Sequence, residues 1–395
     1  MRYLNLLHFV KRHFVFNNIV ETRHALSLQA PVATLSLILF FISCSPSPKN
    51  HNLYLGGDLS YVNEIEDCGA VFRKNGELVD PYELFASQGA NIVRLRLWHN
   101  PDWTQYSTYP DVEKSIQRAK TAGMKVLLDF HYSDNWADPG DQIVPKAWAH
   151  ITDLEILGDS IYQYTYHTLD KLAKKGLLPD LVQVGNETNS EILMPDHVNE
   201  NITEINWERN SFLFNRGLKA VRDIAKQTEK PIETMLHIAQ PENAFPWFRE
   251  ALASGIARFD LIGLSYYSKW SKYPIDKVSD AIDSLTRLYQ KPVIIVETAY
   301  PHDFIDVDSA NNILNQHAIS PDFPATHQGQ LDYMKKLTQE VIEGGGKGVI
   351  YWEPAWVSSD CYTRWGKGSH WENASFFDAV NGNEALPVFE FFKVD

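Results

Sequence analysis

The sequence predicts an α/β fold, a single (β/α)8 TIM barrel. Eight short runs rich in β-branched and aromatic residues recur after residue 52, and amphipathic stretches with helical spacing separate them. These units occupy about 340 residues, a length typical of such barrels. The main rival is a doubly wound open sheet, which normally has a glycine-rich phosphate-binding turn after its first strand. The segment "GGDLSYVNEIE" does not have that pattern, so we expect one barrel domain over residues 53–395.

Residues 1–52 are expected to form a lipoprotein-type signal and tether. The apolar stretch "APVATLSLILFFISC" (30–44) follows basic residues and is too short to span a membrane comfortably, which favours a secretory signal. "FISC" resembles the bacterial lipoprotein signal, in which the cysteine, here Cys44, becomes the lipidated first residue. The alternatives are an uncleaved anchor helix and a start codon further along the chain. We therefore expect an extracytoplasmic protein, anchored by lipid to the cell envelope, displayed at the cell surface, or secreted.

The strand predictions rest on the eight runs themselves. Each is short, as buried barrel strands are, and turn or helix signals bound it. The runs are "LYLGGDLS" (53–60), "NIVRLRLW" (91–98), "KVLLDFHYS" (125–133), "LVQVGNE" (181–187), "IETMLHIA" (232–239), "LIGLSYYS" (261–268), "PVIIVETA" (292–299) and "GVIYWEPAW" (348–356).

The helix predictions rest on stop signals. "PYELFASQG", "VEKSIQRAKTAG" and "DYMKKLTQEVIEGGG" each end in glycine, the residue that most readily adopts the left-handed conformation which terminates a helix.

Polar and aromatic residues stand at nearly every predicted strand end. In TIM barrels the carboxyl ends of the strands form the rim that carries the active site, so these side chains should converge there. A single strand-end glutamate is more often a structural ion-pair partner than a catalyst, and it is the constellation that indicates a site. Its members are Asp58, Arg94, Arg96, Trp98, Asp129, His131, Asp134, Asn186, Glu187, His237, Tyr266, Tyr267, Glu297, Trp352 and Glu353.

Two carboxylates are expected to carry chemistry. Glu187 ends the fourth run and Glu297 the seventh, and those strands lie across the barrel mouth from each other. Cleavage of a glycosidic bond requires such a pair, one group to protonate the leaving oxygen and one to attack or to activate water. A separation of about 5–5.5 Å would imply retention of configuration, and about 6.5–9.5 Å inversion.

Seven motifs give the chain a resemblance to glycoside hydrolase family 53, the endo-β-1,4-galactanases. They are "GGDLS", "VRLRLWHNP", "LLDFHYSDNWADPGDQ", "VGNE", "GLSYYS", "VIIVETAYP" and "YWEPAW". The resemblance spans essentially all of residues 53–390, and the long third motif and "YWEPAW" are the most specific parts. It implies a retaining endo-β-1,4-galactanase that cleaves internal bonds of (arabino)galactan in pectin, with no cofactor for catalysis.

The resemblance also implies roles for the rim residues. Glu187 would be the general acid/base and Glu297 the nucleophile. Arg94 would hydrogen-bond the nucleophile, with Arg96 as the alternative, and Asn186 would bind the sugar 2-hydroxyl. The remaining expected supporting residues are Tyr267, with Tyr266 as the alternative, Trp352 as a stacking platform, His131 and His237 as lining residues, and Asp58. Because strand alternation turns Glu353 away from the lumen, we expect that residue to be structural.

Two further features lie in loops. In "DVDSANN", the side chains of Asp306, Asp308 and Asn312 and the carbonyl of Ala310 have the spacing of oxygen ligands that wrap one calcium ion. A solvated acidic loop is the alternative. Cys68 and Cys361 lie in loops after the first and eighth strands, which are neighbours in a barrel, so a disulfide between them is plausible.

Composition limits the partners. The formal net charge of −14 argues against nucleic acid, whose phosphates require neutralisation by basic side chains, and is compatible with a neutral polysaccharide. We expect a monomer whose only membrane contact is the lipid anchor. The competing functions are a barrel hydrolase for another β-linked glycan, such as mannan or cellulose, and a glycan-binding protein without catalysis. A pure binder would have no physical need for Glu187, Glu297, Arg94 and Asn186 together.

Overall fold

The fold is a closed barrel of eight parallel strands, as the sequence predicts. The computed structural model describes residues 53–195 and 204–393, which belong to one compact unit spanning residues 50–395. Each barrel strand pairs in parallel with the barrel strands before and after it in the chain, and the last pairs with the first to close the barrel. These strands are β1 (Tyr54–Asp58), β4 (Ile92–Leu97), β5 (Lys125–Phe130), β6 (Leu181–Val184), β7 (Glu233–Ala239), β8 (Leu261–Ser265), β9 (Val293–Glu297) and β10 (Gly348–Tyr351).

Helices connect the strands and cover the outside of the barrel. They are α1 (Val62–Asp67), α2 (Pro81–Gln88), α3 (Tyr109–Thr121), α4 (Leu154–Lys174), α5 (Trp207–Thr228), α6 (Pro241–Ala253), α7 (Val278–Tyr289) and α8 (His327–Glu343). Side chains cap several of them: Asp80 accepts a hydrogen bond from the Glu83 amide at the start of α2. After α2 the chain turns at Gly89, whose φ of 110° is a conformation that glycine adopts without a steric penalty.

The barrel interior is filled by apolar side chains. A distinct cluster occupies its centre, so this part of the barrel is a packed core and not a channel. Its members are Ile92, Leu127, Leu181, Met235, Leu261, Ile294, Val296 and Ile350. A second, larger cluster fills the layer between the strands and the helices. The apolar halves of the predicted runs are therefore barrel wall.

Six short strands outside the barrel were not predicted. The strands β13 (Phe377–Asp378), β14 (Glu384–Ala385), β2 (Phe72–Lys74) and β3 (Glu77–Val79) form a small sheet, and β11 (Tyr362–Thr363) pairs with β12 (Gly366–Lys367) as a hairpin. Strands of two or three residues are too short to show a periodicity in sequence. The sheet joins the loop after β1 to the C-terminal segment.

Cys68 and Cys361 are joined by a disulfide, with their Cα atoms 5.3 Å apart. It links the end of α1 to the residue before the β11–β12 hairpin, across 293 positions of sequence. The loops after the first and last barrel strands are thereby tied together at the rim.

The predicted signal and tether, including Cys44, lie outside the described residues. Within residues 53–195 and 204–393, none of the helices has both the length and the apolar character needed to cross a bilayer.

Candidate active site

A cleft of about 460 Å³ opens at the carboxyl ends of the barrel strands. Glu187 and Glu297 both line it, together with Arg94, His131, Asn186, Tyr267 and Trp352 from the predicted set. Six tryptophans contribute to its walls: Trp136, Trp270, Trp352, Trp356, Trp365 and Trp371.

The two carboxylates converge across the mouth. An oxygen of Glu187 and an oxygen of Glu297 lie within 4.8 Å of each other. This separation is close to that of retaining glycosidases and too short for the intervening water of an inverting enzyme. The backbone at Glu187 has a φ of 42°, a left-handed conformation uncommon for a residue other than glycine, as the chain turns out of β6.

Glu297 is held by one cation and one hydroxyl. Its Oε1 lies 2.9 Å from Nη2 of Arg94, and its Oε2 accepts a hydrogen bond from the Tyr267 hydroxyl at 3.3 Å. The alternative tyrosine, Tyr266, turns the other way and donates to the carbonyl of Tyr273. Of the two predicted candidates, the structure therefore brings Tyr267 to the carboxylate.

Arg94 is the centre of a buried polar network. Its guanidinium is paired with Asp58 through Nη1 and with Asp129 through Nη2, both at 2.8 Å. Nη2 also donates to Oδ1 of Asn186 at 2.6 Å, and Nε donates to Oε1 of Gln183 at 3.2 Å. Asp58 is thus a partner of the arginine below the cleft floor and does not line the cleft.

Gln183 was missed by the sequence analysis, which assigned its strand to barrel wall. Its amide nitrogen donates to Oδ1 of Asp129 at 2.7 Å and to Oδ1 of Asn186 at 3.1 Å. A signal existed, since Gln183 is the one polar residue in the run "LVQV" and it is fully buried. A polar side chain in such a position needs buried partners.

Arg96, the alternative candidate to hydrogen-bond the nucleophile, forms an ion pair with a different carboxylate. Its Nη1 lies 3.1 Å from Oε1 of Glu353, and its guanidinium lies 4.1 Å from the ring centre of Trp136. The second oxygen of Glu353 accepts from the Tyr61 amide at 3.2 Å. Glu353 is fully buried outside the cleft lining, as expected for a structural residue.

His237 differs from the expectation. It was predicted to line the site with His131, but it is fully buried behind the cleft wall because β7 turns its side chain toward β6 and β8. The backbone amide of Glu187 donates to its Nδ1 at 3.3 Å, and the Gln183 amide nitrogen lies 3.0 Å from the same atom. Asn186 Oδ1 is also 3.0 Å away, but it already accepts from Arg94 and Gln183.

These contacts assign the tautomer of His237. Since the Glu187 amide can only donate, Nδ1 is the acceptor and the hydrogen is on Nε2. Nε2 lies 2.9 Å from Oγ of Ser265, and that hydroxyl donates onward to Oε1 of Glu187. Ser265, also missed in the sequence, therefore connects the buried histidine to the carboxylate.

The pKa values of the two carboxyl groups differ because their electrostatic surroundings differ. The pKa of Glu187 is raised well above its ordinary value by burial and then by the negative charge of Glu297, and the hydrogen bond from Ser265 opposes the rise. Burial also raises the pKa of Glu297, to about 7, and Arg94 is the strongest opposing influence. Glu297 is therefore the group that ionises first, and Glu187 is the one that keeps its proton.

One group of residues at the cleft and behind its wall has the spacing of metal ligands. Glu187, His237 and Glu297 each offer a ligand atom within 4.8 Å of the others, the one such trio of carboxylate, histidine or cysteine groups among residues 53–195 and 204–393. Both nitrogens of His237 are hydrogen-bonded within the protein. The arrangement is accounted for by those hydrogen bonds.

The predicted calcium ligands are held by protein donors. Oδ1 of Asp306 accepts from the backbone and side-chain nitrogens of Asn312 at 3.0 and 2.8 Å. Oδ1 of Asp308 accepts from the amide of Ala310 at 2.7 Å, and its other oxygen accepts from Ser358 at 2.5 Å. Both predicted carboxylate ligands thus already accept hydrogen bonds from the protein, Asp306 within the loop and Asp308 also from the segment after β10.

Glu372 lies beside this loop and was not predicted. Its Oε1 accepts from the Val307 amide at 2.7 Å, whereas its buried Oε2 has no hydrogen-bond partner among the described residues. Burial raises the pKa of Glu372 to about 7, and the charges of Asp308 and Asp306 add to the rise.

Comparison with known proteins identifies relatives over nearly the whole barrel. Residues 54–392 match the model of glycosyl hydrolase family 53. The chain is 56% identical over 365 residues to an arabinogalactan endo-β-1,4-galactanase of Cellvibrio japonicus, covering 92% of this chain and 96% of that protein. It is 34% identical over 320 residues to an endo-β-1,4-galactanase of Bacillus subtilis, covering 78% and 71% of the two chains.

Solved structures agree with these relatives. The family 53 catalytic domain of Ignisphaera aggregans superimposes with a TM-score of 0.78 at 30% identity, covering 87% of this chain and 96% of that one. A structure from work on two fungal β-1,4-galactanases gives a TM-score of 0.72 at 27% identity, covering 86% and 98%.

The Ser265 contact predicts a shift in pH dependence. In Ser265→Ala the carboxylate of Glu187 loses a hydrogen bond that favours its ionised form, so its pKa should rise further. If Glu187 must be protonated for activity, the alkaline limb of the kcat/KM profile moves to higher pH, while the acid limb set by Glu297 stays. Ser265→Thr keeps the hydroxyl and should restore the original limb. Ser268→Ala, which removes a hydroxyl that contacts Tyr333 instead, is the matched control. An unmoved alkaline limb in Ser265→Ala would exclude the contact as an influence on Glu187.

Proposed function

The chain belongs to glycosyl hydrolase family 53, and on that premise we propose that it is an endo-β-1,4-galactanase. It hydrolyses internal β-1,4-galactosidic bonds of the (arabino)galactan in pectin, with retention of configuration. The observation that carries the proposal is the pair Glu187 and Glu297, whose oxygens approach within 4.8 Å at the barrel mouth. Such a reaction needs no cofactor.

In the first step Glu297 acts as the nucleophile. One of its oxygens forms a bond to the anomeric carbon as the glycosidic carbon–oxygen bond breaks, and the proton of Glu187 passes to the leaving oxygen. Arg94 and Tyr267 support the ionised form of Glu297. The raised pKa of Glu187 keeps that proton available at neutral pH.

In the second step Glu187, now ionised, takes a proton from water. The water oxygen bonds to the anomeric carbon, the ester bond to Glu297 breaks, and the sugar leaves with its original configuration. Because the glycosyl ester neutralises Glu297, the charge that raised the pKa of Glu187 is gone during this step. The pKa of Glu187 falls accordingly, as its change from acid to base requires.

Asn186, His131 and Trp352 are proposed to hold the sugar at the reacting centre. Asn186 lines the cleft and is held in place by Arg94, while its amide nitrogen donates to the carbonyl of Ala137 at 2.8 Å. His131 is anchored by Asp129 at 3.1 Å. The half-buried ring of Trp352 is available as a stacking surface within the cleft.

Variants of the two carboxylates test the roles separately. Glu297→Gln should show no measurable turnover of linear β-1,4-galactan. Glu187→Gln should lose about 10²- to 10⁴-fold on galactan, yet it should still cleave dinitrophenyl β-1,4-galactobioside in its first step, because that leaving group needs no proton. Glu242→Gln changes a carboxylate outside the cleft lining, on the same rim, and should retain activity.

The products of the parent enzyme complete this test. NMR of the galactan digest should show short oligosaccharides released from internal positions, with the β-anomer formed first. Formation of the α-anomer first would exclude retention. Digestion of mannan or cellulose with galactan untouched would exclude the proposed substrate.

We also propose a structural calcium ion at the loop of residues 306–312. The support is the spacing of the oxygen ligands of Asp306, Asp308, Ala310 and Asn312, together with the buried Oε2 of Glu372 beside the loop, which has no hydrogen-bond partner among the described residues. A cation there would offset the mutual repulsion of three acidic groups and tie the loop after β9 to the loop after β10.

Calcium removal should then lower thermal stability. We expect the melting temperature to fall in EGTA and to recover with added calcium, because an ion that binds only the folded chain stabilises it. Asp308→Asn should weaken the response, whereas Asp322→Asn, an exposed acidic residue in the same long loop, should leave it intact. The same melting temperature in EGTA and in calcium would contradict the site.

The N-terminal anchor is proposed from sequence alone. Cys44 would carry the lipid and hold the enzyme at the cell envelope, where polysaccharide is accessible. The parent chain should fractionate with membranes and incorporate labelled palmitate, and Cys44→Ser should do neither while the enzyme stays active. Label retained in Cys44→Ser would show that another residue is modified.

A further inference from the structure

A second cleft lies beside the active-site cleft. It has a volume of about 450 Å³, and we refer to it as the outer cleft. Its walls come from the loop after β4, the loop after β5 and the β11–β12 hairpin. The residues that line it are Trp103, Thr104, Asn135, Tyr362, Thr363 and Arg364.

Only a narrow ridge separates the two clefts. Asn135 lines the outer cleft and the next residue, Trp136, lines the active-site cleft. The same is true of Arg364 and Trp365 at the tip of the hairpin. A polysaccharide that leaves the active-site cleft over Trp365 therefore next passes the residues that line the outer cleft.

The outer cleft exposes aromatic side chains to solvent. Tyr362 is 77% exposed and Trp103 is 41% exposed, and Trp365 on the ridge is 54% exposed. Large apolar side chains that are exposed together in a groove indicate a binding surface, whereas single exposed apolar side chains are common on any protein. Flat rings flanked by the polar groups of Asn135 and Arg364 suit a sugar, which has apolar C–H faces and hydroxyl edges.

Contacts within the protein hold the ring of Trp103 and anchor the backbone of the hairpin that carries Tyr362. The Trp103 indole donates to the carbonyl of Asp134 at 3.0 Å, and its ring packs against Trp98 with ring centres 4.9 Å apart. Tyr362 follows Cys361, whose disulfide to Cys68 anchors the hairpin. A surface that is already ordered loses less entropy on binding.

We propose that the outer cleft binds galactosyl residues of the same galactan chain whose bond is cleaved next door. This rests on the proposed function. The argument for galactan as the occupant is continuity, because an internal bond can be cleaved only when the chain extends beyond the active-site cleft. The outer cleft thus favours long chains over short ones, and the disulfide supports that preference by anchoring the start of the hairpin that carries Tyr362.

The test compares a polymeric with a short substrate. In the double variant Trp103→Ala/Tyr362→Ala, KM for linear β-1,4-galactan should rise by about tenfold, the effect of losing two stacking contacts of modest strength. Turnover of dinitrophenyl β-1,4-galactobioside should be unchanged, since a disaccharide at the catalytic pair does not reach the outer cleft. Phe304→Ala removes an aromatic side chain of similar exposure, 45%, that lines neither cleft and should leave both parameters unchanged.

Binding without turnover provides the second readout. With Glu187→Gln as background, long galactan should bind on the order of tenfold more weakly when Trp103 and Tyr362 are replaced, by affinity electrophoresis in gels that contain galactan. If the double variant loses as much activity on the dinitrophenyl galactobioside as on galactan, the substitutions have damaged the catalytic site. If its KM for galactan equals that of the parent, the outer cleft does not bind the polymer. Either result overturns the proposal.

Two more outcomes are informative. The double variant could instead lose binding to polygalacturonate while its binding to galactan stays unchanged. That outcome would show that the outer cleft binds this acidic polysaccharide through Arg364, and it would also overturn the proposal. If the parent chain does not digest galactan at all, the proposed function itself fails. That result differs from an active parent whose KM for galactan equals that of the double variant, which overturns only the proposal for the outer cleft.

Discussion

The buried guanidinium of Arg94 is the constraint on which the site depends. A positive charge in the mouth of a barrel is costly to desolvate and persists only with several close negative partners. Here Asp58, Asp129 and Glu297 each approach it within 2.9 Å, from β1, β5 and β9. Four strands, including β4 with Arg94 itself, are thereby held in register at the rim, and the position of Glu297 is set by the same contact.

The same arginine makes the two glutamates unequal. It lowers the pKa of Glu297 directly, while Glu187 receives the repulsion of Glu297 without an ion-pair partner of its own. Ser265 and His237 form a neutral chain of hydrogen bonds behind Glu187, and neither adds a charge. One carboxylate is thus poised to be ionised and the other protonated, although both belong to one small cleft.

The loops contribute a different property. Tryptophans from the loops after β5, β8 and β10 build the cleft walls, and the disulfide ties two of the rim loops together. The barrel fixes the reacting groups on its strands, and the loops supply the large apolar surfaces that a polysaccharide needs. This division explains why the aromatic side chains concentrate outside the packed interior of the barrel.

The sequence by itself determined the barrel, because eight apolar runs and the helices between them obey simple periodicities that local residues set. It also indicated Glu187, Glu297, Arg94 and Tyr267, since strand ends share one rim and the motifs resemble a known family. Only the tertiary structure decided which partner each polar group meets. Gln183 and Ser265 act through atoms contributed by other strands, and His237 turned out to lie behind the wall because contacts with β6 and β8 orient its ring. The hydrogen bonds Gln183–Asp129 and Ser265–Glu187 join residues 54 and 78 positions apart, and no local pattern encodes the direction in which a side chain finds its partner.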